Sequence, residues 1–537
     1  DPEMSRGLGD VYKRQIKNIL LLEKWIGSGN GNFSGLKPRR GAKAMLFYEI
    51  INDHPAEDPA LICQDKMLTY GEVREEVTLW AAHLQSSGVC KGDKVGLFSK
   101  NCNEFVIAYL AIIKAGGVVV PFNFQLAAPE VAYIVQDAGM RVMVTRQKLE
   151  LDAALQECGC GPLKQLDFED LRQPVDRSYE DIAMDDNDNC TIIYTSGTTG
   201  HPKGAMLSHR NLVANAKDFT QRVLMYSSDK TLCVLPMYHC FAWTVSVACP
   251  LLHGCCIVVQ ENYTLAEALR LIQRYEITQF AGVPTMIQMF EKGADSGQLA
   301  SVRFFISGGA SLPQKLAKDF KKKFGKPVQE GYGLSEASPV CTVNPAEKIK
   351  VGSIGPQLPN VRVEIRDEDD RRVASGTVGE LCVRGDNVML GYLNRPEETA
   401  AALRGGWLHT GDLAYQDEEG YIFIVDRLKD MIITGGENVY PREVEEALYH
   451  HPAVQENAVV GVPDKLRGQA VCAYLVLKEG AAATKPQLRR FLMERLASYK
   501  VPKYFFFCEQ LPKNGTGKVM KTALRENAIE DLVNRQN

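Results

Sequence analysis

YTSGTTGHPKG, residues 194–204, is the stretch on which the reading of this chain turns. An apolar run at 191–194 enters a loop of Thr195, Ser196, Gly197, Thr198, Thr199 and Gly200, closed by Lys203. Glycines let backbone amides converge on an anion, and hydroxyls and a lysine add donors and charge. The combination reads as a phosphate cradle. It is not a Walker A loop, because Lys203 follows Gly200 by three residues and precedes Gly204 rather than Ser or Thr. A plain Ser/Gly-rich surface loop is the competing reading, but such loops rarely join six small polar residues to Pro202 and Lys203.

Upstream of the loop the pattern is α/β. Thr69 followed by Glu72 makes a capping box, and Val73, Val77, Trp80, Ala81 and Leu84 then recur at helical spacing. Residues 94–98 read as a short buried strand, the segment through Phe105, Val106, Tyr109 and Leu110 as a helix, and 117–121 as a second strand. Strand, helix and strand at this spacing predict a parallel sheet with crossover helices. The rhythm continues through a strand at 257–259, a helix at 265–274 and a strand at 279–281.

Downstream, from about 351, short runs at 361–366, 379–384 and 420–425 alternate with glycine and acidic turns, which predicts a small antiparallel barrel or curled sheet. From Arg427 the texture changes again. Residues 444–448 read as helical, 458–461 and 470–477 as extended, and Thr484 with Gln487 caps a final helix through Leu488, Phe491 and Leu492. The expected organisation is therefore a leader at 1–44, a large domain of parallel α/β sheets at 45–426 with a β-rich subdomain at about 351–426, a hinge at 427–430, and a small α+β lid at 431–530. Residues 5–15, SRGLGDVYKRQ, resemble a translated sequencing-library adapter, so part of the leader is expected to be artefactual, with Met45 the natural start of patterned sequence.

Bulk properties narrow the function. A length of 537 residues calls for more than one core. With 45% hydrophobic and 24% charged residues the composition is that of a soluble globular protein, and a net charge of -4 gives no reason to expect nucleic-acid binding. Fifteen cysteines are scattered without zinc-ligand spacing, so reduced thiols and a cytoplasmic location are expected. The richest apolar stretches, 105–122 and 243–259, are interrupted by Lys114, Gly116 and Gly117, and by Pro250, His253 and Gly254. Neither reaches the roughly 18 residues of a membrane span, so at most peripheral membrane contact is expected. A dimer stays open.

Six motifs now give a resemblance. Besides the loop, SGGASLP at 307–313, EGYGLSEASP at 330–339, GWLHTGD at 406–412, DRLKDMIITGGENVYPREVE at 426–445 and PKNGTGK at 512–518 are similar, in the same order, to those of the adenylate-forming superfamily of acyl-CoA synthetases, luciferases and peptide-synthetase adenylation domains. The resemblance covers roughly 45–525 and is strongest to bacterial long- or medium-chain fatty acid–CoA ligases. It implies an ATP- and Mg2+-dependent ligase that makes acyl-AMP and pyrophosphate, then passes the acyl group to coenzyme A.

The resemblance also assigns roles. Glu336 and Thr195 ligate Mg2+, a hard cation suited to oxygen donors. Thr195 to Gly200, Lys203 and Ser335 face the phosphates. Gly308, Gly309 and Ala310 form a purine slot beside Glu330, Gly331, Tyr332 and Gly333, with Tyr332 stacking on adenine. Asp412, read as lying at a strand end, and Arg427 bind the ribose. Lys518 supports attack at the α-phosphate, Lys429 is the hinge, and Gly435 and Gly436 admit the pantetheine arm. His239, in PMYHCFAW, sits by the carboxylate, and Trp243 four residues on could share its helix face and gate an acyl pocket with Gly282, Val283 and Pro284. A core tryptophan is the competing reading. The apolar neighbours, Phe241, Val247 and Met286 among them, favour an apolar acid over an amino acid. A free-standing acyl–carrier-protein ligase and an aromatic-acid ligase are the alternatives.

Overall fold

The computed structural model describes residues 44–175, 178–195, 202–464, 466–513 and 519–534. The capping box is in place: Thr69 is the N-cap of the helix Tyr70–Ser86, and the Thr69 N–H donates to Glu72 Oε2 at 2.7 Å. The predicted crossover follows. Lys94–Phe98 pairs in parallel with Val118–Pro121, and the helix Asn103–Lys114 runs between them. That helix buries ten of its residues and sits in the main apolar core, as a helix apolar on all sides must.

Two large sheets carry the N-terminal part. One has seven strands in the order Gly391–Tyr392, Lys203–Ser208, Asn189–Thr195, Val118–Pro121, Lys94–Phe98, Val142–Thr145 and Lys164–Asp167. Its last five strands are parallel, and the fully buried VVVP run of Val118–Pro121 among them suits a sheet covered on both faces. The other has eight strands, whose parallel centre is Phe304–Ser307, Gln279–Gly282, Lys230–Cys233 and Cys256–Val259. Val328–Gly333 joins it in parallel, with Ser307 opposite Glu330, so the SGGA and EGYG segments leave the sheet side by side.

The β-rich segment is an open four-stranded antiparallel sheet of Arg362–Arg366, Gly379–Arg384, Leu408–Gln416 and Ile422–Arg427. After it comes a five-stranded sheet in which Ile432–Thr434, Gly468–Leu477 and Val454–Asp464 are neighbours, with the helices Pro441–Tyr449 and Lys485–Met493 packed in its core. Thr484 and Gln487 cap the latter helix as expected, but it is not the final one. A further helix, Lys521–Asn534, follows. Among the described residues no helix is long and apolar enough to cross a membrane. All fifteen cysteines are free thiols.

Candidate active site

The strand Asn189–Thr195 delivers the chain to the phosphate loop, and Thr195 lies opposite Lys203 across an antiparallel pair with Lys203–Ser208. Ser196, Gly197, Thr198, Thr199 and Gly200 lie outside the described residues, as does Lys518. The base of the loop is firmly anchored. Tyr194 donates its hydroxyl to Asp137 Oδ2 at 2.7 Å, and Arg395 meets the other oxygen of Asp137 at 2.8 Å. Gly204 has no room for a side chain, since an added Cβ would sit 2.6 Å from Ile192 Cγ2. Lys203 Nζ lies 5.7 Å from the centre of the Tyr392 ring and 3.7 Å from Glu398 Oε1. Tyr392 in turn donates its hydroxyl to Glu336 Oε1 at 2.9 Å. The tyrosine therefore ties the lysine at the foot of the loop to the carboxylate proposed for the metal. Sequence patterning gave no signal for it, because only the register of Gly391–Tyr392 on Lys203–Ser208 brings it there.

On the nucleoside side, Gly308 leaves a slot beside the Phe241 ring, which a Cβ at 308 would approach to 2.9 Å. Gly309 has φ +76, and Val283 Cγ1 is the nearest atom to a Cβ built there, at 3.7 Å. Gly333 is closed against the Pro339 carbonyl oxygen, 2.1 Å from an added Cβ. Tyr332 donates its hydroxyl to Asp412 Oδ2 at 2.5 Å, and Arg427 Nε meets Asp412 Oδ1 at 3.0 Å. Burial and the Asp412 charge hold the Tyr332 phenol well above its usual range, so it remains a donor. Each Asp412 oxygen keeps a lone pair beyond these contacts, the capacity a ribose diol requires.

One expectation on this side is corrected. Asp412 lies within the nine-residue strand Leu408–Gln416, not at a strand end. A register shift between Glu380 and Cys382 on the neighbouring strand leaves 410–412 bulged, and such a bulge re-aims a side chain without ending the strand. Glu330 is turned inward. It is 5% exposed, accepts the Leu312 N–H at 3.0 Å, and faces Arg442 and Glu446 inside the protein. Burial pushes its pKa up to about 7.

His239 is the N-cap of a short helix, Cys240–Ala242, and its Nδ1 accepts the Phe241 N–H at 3.2 Å. Cys240 Sγ and Ser335 Oγ are in hydrogen-bond contact at 3.2 Å, which sets the His239 turn against the serine proposed for the α-phosphate. Gly282 ends the strand Gln279–Gly282, Val283 caps the helix Pro284–Gly293, and Pro284 is its first residue. Trp243 is the exception. Its ring is 2% exposed and stacks on Tyr109 at 3.6 Å between centroids, with Phe105 at 6.0 Å and Phe47 at 6.3 Å. It belongs to the core around the Asn103–Lys114 helix, while Val283 and Phe280 belong to a separate cluster, a packing that favours the core tryptophan over the gate. Phe241, packed against both clusters, is the aromatic that borders the slot.

After Arg427 the chain makes a single turn, Leu428–Asp430, in which Lys429 is exposed. Gly435 and Gly436, at φ 62 and 85, form the two-residue turn between Ile432–Thr434 and Glu437–Val439. A hairpin turn with both central residues at positive φ demands such residues on conformational grounds alone. The junction holds contacts that sequence reasoning missed. The Arg442 backbone N–H donates to Asp426 Oδ2 at 2.8 Å, its guanidinium donates to the Ile424 carbonyl at 2.8 Å, and Lys521 pairs with Glu445 at 2.7 Å.

Comparison with known proteins agrees with this geometry. The family described as AMP-binding enzyme matches residues 47–393, and the AMP-binding enzyme C-terminal domain matches 443–518. A long-chain-fatty-acid–CoA ligase of Bacillus subtilis (strain 168) is 36% identical, covering 90% of this chain and 94% of the relative. A feruloyl-CoA synthase of an Amycolatopsis species is 37% identical, covering 85% and 93%. The solved structure of o-succinylbenzoate coenzyme A synthetase (MenE) from Bacillus subtilis, in complex with ATP and magnesium ion, superposes with a TM-score of 0.80 at 30% identity, over 90% of this chain and 99% of that one. Fold, site and kinship converge: the chain belongs to the AMP-binding enzyme family and is an adenylate-forming acyl-CoA ligase.

Proposed function

We propose that the acid activated is a medium- or long-chain fatty acid, and that 45–426, the turn at 427–430 and 431–530 act as body, hinge and lid. The observation that carries the substrate reading is the apolar wall that follows His239, where Phe241, Val283 and Met286 pack with Phe280 beside Gly282. Such a wall takes a hydrocarbon tail and offers no compensation for a buried charge. An aromatic acid is the second reading, favoured by the identity to the feruloyl-CoA synthase and by the planar Phe241 face.

Lys203 holds the ATP phosphates, Asp412 and Arg427 the ribose, and the Gly308–Gly309–Ala310 turn with Tyr332 the purine. Glu336 and Thr195 provide carboxylate and hydroxyl oxygens that fit Mg2+, which when bound would neutralise the triphosphate. In the first half-reaction a carboxylate oxygen of the acid attacks the α-phosphorus and pyrophosphate leaves. Ser335 and Lys518 stabilise the charge that builds on the phosphoryl oxygens, and His239 orients the acid. Rotation about Lys429 then withdraws Lys518 and brings the Gly435–Gly436 hairpin to the site. The CoA thiol, losing its proton, attacks the acyl carbon and AMP leaves. A pyrophosphate-release screen across short, medium, long and aromatic acids tests the substrate: highest kcat/KM on straight-chain acids supports the reading, and highest kcat/KM on a cinnamate-type acid overturns it.

A further inference from the structure

The four-stranded sheet that carries Asp412 also gathers donors that the ligase reaction does not use. Cys382 and His409 are register partners on Gly379–Arg384 and Leu408–Gln416, with Glu380 two residues along on the same face. Cys382 Sγ lies 3.4 Å and Glu380 Oε2 2.8 Å from His409 Nδ1, and one ligand atom from each of the three falls within 4.8 Å of the others. Cys382 is fully buried and the His409 side chain is 3% exposed. On its far side, His409 Nε2 faces Asp370 Oδ1 at 3.4 Å, and both atoms are buried without a hydrogen bond.

We infer that Glu380, Cys382 and His409 form a binding site for a borderline-soft divalent cation, best matched by Zn2+. The donor set of one thiolate, one imidazole and one carboxylate is that of tetrahedral zinc with a fourth position for water. Zinc bond lengths place such ligands about 3.3–3.6 Å apart. The Cys382–His409 separation already fits, and Glu380 has only to withdraw by about half an ångström. Asp370 supplies what a metal-bound histidine needs behind it. When Nδ1 gives its lone pair to the metal, the ring proton sits on Nε2 and points at Asp370, which satisfies both orphaned atoms and fixes the tautomer. As the Zn–S bond forms, the Cys382 thiol releases its proton to solvent. Scanning along the chain for ligand spacing misses this set, because cross-strand pairing and not sequence proximity assembles it.

Arg404 is the competitor. Its guanidinium meets Glu380 Oε2 at 2.9 Å and lies 3.7 Å from Asp370 Oδ2, so it balances the carboxylates in the metal-free protein. Its side chain is 49% exposed and free to turn into water when a dication takes its place. Glu380 also accepts the Gly411 N–H at 3.0 Å, which puts the site one residue from the proposed ribose clamp.

The test is titration of the full chain, stripped with a chelator, by Zn2+ in a calorimeter and by Co2+ in a spectrophotometer. The expected result is one tight equivalent per chain and a thiolate-to-cobalt charge-transfer band. Cys382→Ser should abolish the band, His409→Gln should weaken binding at least tenfold, and Asp370→Asn by about 10–100-fold, the scale for removing a partner behind a ligand. Arg404→Gln should tighten binding. Melting curves of the stripped variants separate loss of ligation from loss of fold. Absence of stoichiometric binding, or a charge-transfer band that survives Cys382→Ser in a folded protein, overturns the proposal.

Discussion

Trp243→Ala is the perturbation that separates packing from substrate gating at the acyl side of the site. The indole is 2% exposed and stacked on Tyr109, with Phe47 and Phe105 completing its shell. Truncating such a ring removes its burial and leaves a cavity, for a loss of about 3–5 kcal/mol. At about 2.1 cal/mol/K per residue, unfolding of the roughly 380 residues from 45 to 426 has an entropy near 0.8 kcal/mol/K, so Tm should drop by about 4–6 °C. Trp243→Phe should cost less, because it keeps an apolar ring and discards an indole N–H that is buried without a hydrogen bond. The damage should reach catalysis evenly. Tyr109 hydrogen-bonds Thr191 at 2.7 Å on the strand that feeds the phosphate loop, so turnover should fall in parallel for short and long acids. Melting by circular dichroism and pyrophosphate release across a chain-length series are the two readouts. An unchanged Tm with a shifted chain-length preference would refute the reasoning and return the ring to an acyl channel.

Glu330→Gln tests the buried acid through its pH dependence. Burial raises the pKa from an ordinary 4.5 to about 7, so the folded state holds the proton that the unfolded state releases, and stability falls as pH rises between those values. The neutral variant should therefore be more stable by roughly 2–4 kcal/mol above pH 7 and no more stable below pH 4.5, read as Tm against pH; a gain confined to acid would reverse the sign. Asp412→Asn should raise the KM for ATP by about 10–100-fold, the scale of a lost charged acceptor, with a smaller effect from Tyr332→Phe; an unchanged KM removes Asp412 from the ribose site. Lys518→Ala should lower acyl-AMP formation by about 10²–10³ while sparing the thioester step from supplied acyl-AMP. Lys429→Pro should do the reverse. Equal loss of both half-reactions in both variants contradicts alternation of the lid.

Local rules written into single segments were the legible part. Thr69 and Glu72 announced a helix start that is present to the residue, and the buried run at 118–121 announced an internal parallel strand. The helix Lys521–Asn534 escaped because its apolar positions fall on no clear stripe. Asp412 was recognised but misplaced, since the bulge that aims it depends on the neighbouring strand. Tyr392 and Arg442 escaped because each acts on a residue distant in sequence, Glu336 and Asp426 respectively. Trp243 and His239 share a helix turn, through the bond from the Trp243 N–H to the His239 carbonyl. Periodicity says nothing of which cluster receives the indole, and in the structure it stacks on Tyr109 in the core around the Asn103–Lys114 helix.

The central claim is that one site joins a carboxylic acid to CoA through an adenylate, and product stoichiometry tests it most directly. Purified protein with ATP, Mg2+, CoA and a straight-chain fatty acid should yield pyrophosphate, AMP and acyl-CoA in equal amounts, with no product when the acid is omitted. Formation of ADP and phosphate, or acid-dependent pyrophosphate release with no loss of CoA thiol, would contradict it.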